Sequence, residues 1–115
     1  MPVDLSPATV DGLLADRAIL LVDVREPQEY AAVRIHGALL LPLSSFDPLA
    51  LPPADRVRVM FHCGSGKRSA MAVARCRQAG LDHGEHMAGG IQAWIAAGLP
   101  TVTLDPASGG VIDRR

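Results

Sequence analysis

Three apolar runs of strand length, at 19–22, 38–41 and 57–62, carry little of the polar alternation that a half-solvated strand needs. A strand that is apolar on both faces is buried on both faces, which is the condition of a parallel sheet covered by helices. The intervening segments agree. Ser6-Pro7 supplies an N-cap and a first helical residue ahead of Val10, Leu13 and Leu14 at helical spacing. A proline-opened stretch at 27–32 fits a short helix, and 70–79 is a small-residue helix stopped by Gly80. A weaker strand at 85–87 precedes Gly89-Gly90 and a helix at 91–97, which ends at Gly98 with Pro100 beyond it. Pro42 closes the second run, and Pro48, Pro52 and Pro53 make 44–55 mostly loop with one helical turn. Strand and helix in alternation predict an α/β fold with a parallel sheet.

Composition narrows the functional classes. A chain of 115 residues has room for one domain, placed at 1–102. The stretch 103–115, with Pro106 and Ser108-Gly109-Gly110, is expected to be an irregular C-terminal tail. A net charge of -1 offers no general attraction to nucleic acid or to an anionic membrane. No apolar run approaches the ~20 residues of a membrane helix. The first residues hold Asp4 and no basic region, unlike a secretory signal, so the expected setting is a soluble, cytoplasmic domain. Two cysteines build neither a disulfide framework nor a structural zinc site. Neither a metal nor an organic cofactor is expected.

The chemistry concentrates in one loop. The third run leads straight into Cys63-Gly64-Ser65-Gly66-Lys67-Arg68-Ser69 and then into a helix. Ligands of parallel sheets bind beyond the carboxyl ends of the strands, and Cys63 lies there. Two glycines let the backbone curl and turn its N–H groups inward, and the next helix aims its first amides at the same point. Those donors, with Lys67 and Arg68 nearby, should lower the thiol pKa and make Cys63 an activated nucleophile. Cys76, mid-helix among Ala72, Val73, Ala74 and Ala79, reads instead as core. A nucleotide-binding P-loop would need glycine, four residues, then Gly-Lys-Ser/Thr, and that spacing is absent.

Four motifs occur in order. They are Leu21-Val22-Asp23-Val24-Arg25-Glu26-Pro27-Gln28-Glu29-Tyr30, Ile35-His36-Gly37-Ala38 with Pro42-Leu43, the Cys63 loop, and Gly89-Gly90-Ile91-Gln92-Ala93-Trp94 with Ala97-Gly98-Leu99-Pro100. Together they closely resemble a single-domain rhodanese. The resemblance implies a five-stranded parallel sheet with helices on both faces, and Cys63 as the catalytic residue that carries a persulfide. It implies that the loop from Gly64 through Ser65, Gly66, Lys67 and Arg68 to Ser69 binds the transferred sulfur. It further implies a small anionic donor such as thiosulfate and a thiol acceptor, protein thiols included. The family often has His-Ile-Pro-Gly-Ala where this chain has Arg34-Ile35-His36-Gly37-Ala38, a segment that leads into a strand and reads as structural.

Other residues have supporting roles or none. Asp23 and Arg25 end a strand on the side of Cys63, where they brace the loop or cap the helix opening at Pro27. Arg68 either binds an anionic donor or fixes the loop, and a guanidinium has donors enough for both. His83 and His86 read as solvated loop histidines, since a pair lacks the ligand count of zinc. His62, one residue before Cys63 in an extended strand, should point away from it. Trp94 is core. The expected activity is sulfur transfer from thiosulfate or a persulfide to a thiol or cyanide. A rhodanese-like module that only binds a partner or senses redox state is the first alternative. A phosphatase or arsenate reductase comes last. Cys63 to Arg68 is Cys-x4-Arg, one residue shorter than the Cys-x5-Arg loop of tyrosine phosphatases, and no general acid is clearly placed.

Overall fold

The computed structural model describes residues 2–114. In chain order it contains β1 (Val3–Leu5), α1 (Pro7–Ala15), β2 (Leu20–Asp23), α2 (Pro27–Ala32), β3 (Val33–Arg34) and β4 (Leu39–Leu40). Then follow β5 (Val59–His62), α3 (Lys67–Gln78), β6 (Glu85–Met87), α4 (Gly90–Ala96), β7 (Val102–Leu104) and β8 (Val111–Asp113). Five strands form one all-parallel sheet in the order β1-β6-β5-β2-β4, as expected for an α/β chain.

Alternation along the central strands divides the core in two. Leu21 and its neighbour Met60 face one side, where they meet Val10 of α1 and Ile91 and Trp94 of α4. Val22 and Phe61 face the other side, against Ala72, Val73 and Cys76 of α3. The side chains are buried on both faces because helices cover both, which is why the runs show no polar alternation. Ser6 caps α1 as its position suggests, with the Thr9 N–H donating to Ser6 Oγ at 3.2 Å. Trp94 is buried and donates its indole N–H to the Pro100 carbonyl at 2.8 Å, which pins the chain leaving α4.

Three expectations need correction. The run at 38–41 is not buried on both faces: β4 is a two-residue edge strand paired only with β2, and Leu39 is 46% exposed. The loop at 44–55 holds two 3-10 turns, Leu43–Ser45 and Pro48–Ala50, rather than one. The tail is not irregular. Strands β7 and β8 form an antiparallel hairpin that extends β3 into a second, three-stranded sheet. Its turn is built locally: the Asp105 carboxylate accepts from the Ala107 N–H and the Ser108 hydroxyl, and Gly109 takes a φ of +72° that favours glycine. His36 and Asp113 tie β8 to the loop after β3 at 2.6 Å. Strand β1 carries no readable signal, since three residues are too few for a pattern. Among the described residues, no helix is long and apolar enough to cross a membrane.

Candidate active site

Because Phe61 faces α3, Cys63 two residues later faces the same side and His62 between them faces the opposite one. Cys63 is 1% exposed. The loop that follows is held by α4. The Ile91 N–H donates to the Cys63 carbonyl at 2.8 Å, and the Gln92 N–H donates to the Gly64 carbonyl at 3.1 Å. These two bonds turn the loop carbonyls away from the sulfur and leave its N–H groups free to face it. They require Gly90, which adopts a φ of +62°; a Cβ there would stand 2.3 Å from the Cys63 carbonyl oxygen. Gly66 turns the chain into α3 at a φ of +110°, and its N–H donates to Cys63 Sγ at 3.1 Å.

The charge state of Cys63 follows from these neighbours. Burial pushes the thiol up. Hydrogen bonds from the Ser69 hydroxyl and from the amides of Ser69, Gly66 and Ser65 outweigh it, and the thiol lies below its ordinary value. These donors are the main cause of the lowering, and the Arg68 guanidinium also interacts with the thiolate charge. Lys67 is exposed, and Arg68 is engaged by Glu29 of α2 in a two-pronged pair at 2.6 and 2.9 Å. That pair holds the Glu29 carboxyl at about 2 and raises the Arg68 guanidinium. Glu29 also accepts from the Glu26 N–H at 3.0 Å, so a single carboxylate caps α2 and braces the cysteine loop. Cys76, in contrast, is pushed up to about 11 by burial alone.

The rhodanese-like domain model of protein families matches residues 6–97. The chain belongs to the rhodanese-like family. A sulfurtransferase of Allochromatium vinosum is 42% identical over 102 residues, which cover 86% of this chain and 94% of that protein. An uncharacterised protein of Synechocystis is also 42% identical, over 100 residues and 87% of this chain; the chain spans 56% of that relative's length. Among solved structures, a rhodanese-related protein of Thermoplasma volcanium superposes with a TM-score of 0.75 at 30% identity, covering 86% of this chain and 96% of that one.

Within this rhodanese-like domain, Asp23 ends β2 at the carboxyl edge of the sheet and Arg25 follows two residues on, and their side chains bond to each other. Asp23 is fully buried, and Arg25 binds it through Nε and its terminal nitrogen while donating to the Val33 carbonyl at 2.6 Å. The pair therefore joins β2 to β3, and Glu26 rather than Asp23 caps α2. His62 packs behind that pair, with Nε2 3.5 Å from Asp23 Oδ2. Burial lowers its pKa against the opposing pull of Asp23, which leaves it neutral on the far face from the thiol.

The reading of His83 and His86 as solvated is wrong. Both are buried, His83 bonding the Pro52 carbonyl at 2.8 Å and His86 lying between Asp4 and Ser69. His86 lies on β6, an interior strand flanked by β1 and β5 whose three residues hid that in the sequence, and His83 lies in the loop just before it. No cluster of three metal-ligating side chains occurs among the described residues. Sequence reasoning also missed Glu29 and the steric role of Gly90. Glu26-x-x-Glu29 ahead of a proline-opened helix was the available signal for the first.

Proposed function

We propose that this domain is a sulfurtransferase in which Cys63 carries a persulfide. The observation that carries the reading is the Gly66 N–H directed at Sγ from 3.1 Å, within a short loop whose carbonyls are held away by α4. The Cys63 thiolate attacks the outer sulfur of thiosulfate or of a persulfide donor. A sulfur–sulfur bond forms at Cys63 as the donor's own sulfur–sulfur bond breaks, and the electron pair leaves on sulfite or on the donor thiolate. The amides of the loop from Gly64 to Ser69 hold the persulfide. An acceptor thiolate, or cyanide, then attacks the outer sulfur and returns Cys63 as thiolate. Neither step consumes an oxidant.

Two features support sulfur over phosphorus. The loop is Cys-x4-Arg, a tight ring for one added sulfur atom. The arginine that a phosphatase needs for gripping two phosphate oxygens is already occupied by Glu29. The relatives named above include a sulfurtransferase, which agrees with this reading. The test is intact-mass measurement after thiosulfate treatment, followed by cyanide. One added sulfur on Cys63, removed by cyanide and absent in Cys63→Ser, is expected. Cys63-dependent hydrolysis of an aryl phosphate without sulfur loading would overturn the proposal.

A further inference from the structure

Ser69 is fully buried in the first turn of α3, and its hydroxyl oxygen meets three groups. Cys63 Sγ is 3.6 Å away, the Gly66 carbonyl 3.1 Å and His86 Nδ1 2.8 Å. His86 Nε2 in turn lies 2.5 Å from Asp4 Oδ1. Asp4 and His86 are register partners in the parallel pair β1–β6, so their side chains share one face of the sheet. His86 is 6% exposed, whereas the Asp4 side chain is 67% exposed. The four groups thus form an unbroken line from solvent to the sulfur.

Proton bookkeeping gives this line two states. An ionised Asp4 carboxylate only accepts, so His86 Nε2 carries a hydrogen toward it. Neutral His86 then presents a lone pair at Nδ1, the Ser69 hydroxyl turns its one hydrogen to it at 2.8 Å in place of the Gly66 carbonyl at 3.1 Å, and Ser69 Oγ accepts the thiol hydrogen of Cys63. In the other state the two inner hydrogen bonds reverse, while Nε2–H still donates to Asp4. Nδ1–H donates to Ser69 Oγ, and Ser69 O–H donates to a Cys63 thiolate.

We propose that Asp4, His86 and Ser69 form a proton relay that draws the proton from Cys63 as its thiolate forms. The Sγ proton passes to Ser69 Oγ while the Ser69 proton passes to His86 Nδ1, so one proton is moved and nothing is oxidised or reduced. His86 is a positioning residue that acts on the sulfur through Ser69. Asp4 holds the imidazole in the tautomer that can accept. The proposal rests on Cys63 being the nucleophile, but not on which donor supplies sulfur.

The remaining charges on the elements around His86 do not compete for it. On α3, Arg68 is engaged by Glu29, Arg75 by the Leu43 carbonyl, and Lys67 is exposed; Arg77 lies on the distal turn. Glu85, its neighbour on β6, pairs with Arg58. His62 on β5 faces the opposite side of the sheet.

Alkylation of Cys63 by iodoacetamide, followed by mass spectrometry against pH, tests the relay on the full chain. His86→Gln is expected to move the inflection upward by about one unit, a roughly ten-fold slower reaction below it. Asp4→Asn, at the exposed end, shifts it the same way by less. With Ser69→Ala already present, His86→Gln adds under about two-fold, since the bridge is gone. An unmoved inflection in folded His86→Gln, or a shift equally large without Ser69, overturns the relay. Should His86→Gln fail to fold, Asp4→Asn decides, and no shift there overturns it. Sulfur loading is measured on the same preparations. Normal loading without the pH signature refutes the relay alone, whereas the signature without loading upholds the relay and refutes the sulfurtransfer reading.

Discussion

Replacing Gly90 by alanine should unseat the cysteine loop although it adds only one methyl group. The new Cβ would stand 2.3 Å from the Cys63 carbonyl oxygen and 2.6 Å from both the carbonyl carbon and oxygen of Gly64. These are backbone atoms, which cannot swing aside as a side chain could. A left-handed φ adds about 1–2 kcal/mol for alanine. Relieving the overlap costs about 1–3 kcal/mol more, whether by strain or by loss of the Ile91 and Gln92 hydrogen bonds to the loop. The total, about 2–5 kcal/mol, is a large share of the ~5–15 kcal/mol that holds a domain of this size. Urea denaturation measures it. Gly12→Ala is the matched control, because Gly12 lies in α1 with nothing within 4 Å of its added Cβ. There alanine should stabilise by about 0.5–1 kcal/mol. If Gly90→Ala stayed within about 0.5 kcal/mol of the parent, the steric reasoning would be refuted.

Cys63→Ser should abolish sulfur loading, whereas Cys76→Ala should retain most of it and mainly alter stability; the mass shift after thiosulfate reads both. Limiting iodoacetamide near neutral pH should modify Cys63, whose thiol lies below its usual value, and spare Cys76, whose thiol is held at about 11. The Glu29–Arg68 pair contributes stability fully above the ordinary carboxylate value of 4.5 and loses it as pH falls toward about 2, because the folded-state value is the depressed one. Both side chains are about a third exposed, so screening leaves about 1 kcal/mol, and Glu29→Gln should flatten the pH dependence of unfolding across that window. Arg68→Ala should slow loading from thiosulfate and from a neutral persulfide donor in equal proportion, because Glu29 already holds the guanidinium; a loss confined to thiosulfate would return Arg68 to the role of anion binder.

The parts of the fold legible in the sequence were those with their own local cause. Runs buried on both faces announced the central strands, Ser6-Pro7 announced α1, and the strand–loop–helix order placed Cys63 at the carboxyl edge of the sheet. Alternation along β5 correctly turned His62 away from the sulfur. What escaped depended on partners distant in sequence. Glu29 reaches Arg68 across 39 positions, and His86 meets Asp4 across 82. Nothing near either residue advertises such a contact. Strands of two or three residues, such as β1, β3 and β7, likewise owe their existence to neighbours rather than to a pattern of their own. The hairpin at 102–113 was misread because proline, serine and glycine mark turns and irregular tails alike.

Strand β1 is three residues long, lies at the border of the sheet and has β6 as its sole neighbour. Its three register pairs with β6 are flanked by the Val3 N–H on the Gly84 carbonyl and the Ala88 N–H on the Leu5 carbonyl. A slip of one residue would carry Asp4 to the reverse face of the sheet and put an apolar side chain opposite His86. Fraying would do the same without disturbing the buried strands, since border segments open at far lower cost than the whole domain. Under the proposed relay, the reactivity of Cys63 is tied to a short strand at the border of the sheet. Conditions that raise deuterium uptake at the Val3 and Ala88 amides should slow the alkylation of the thiol.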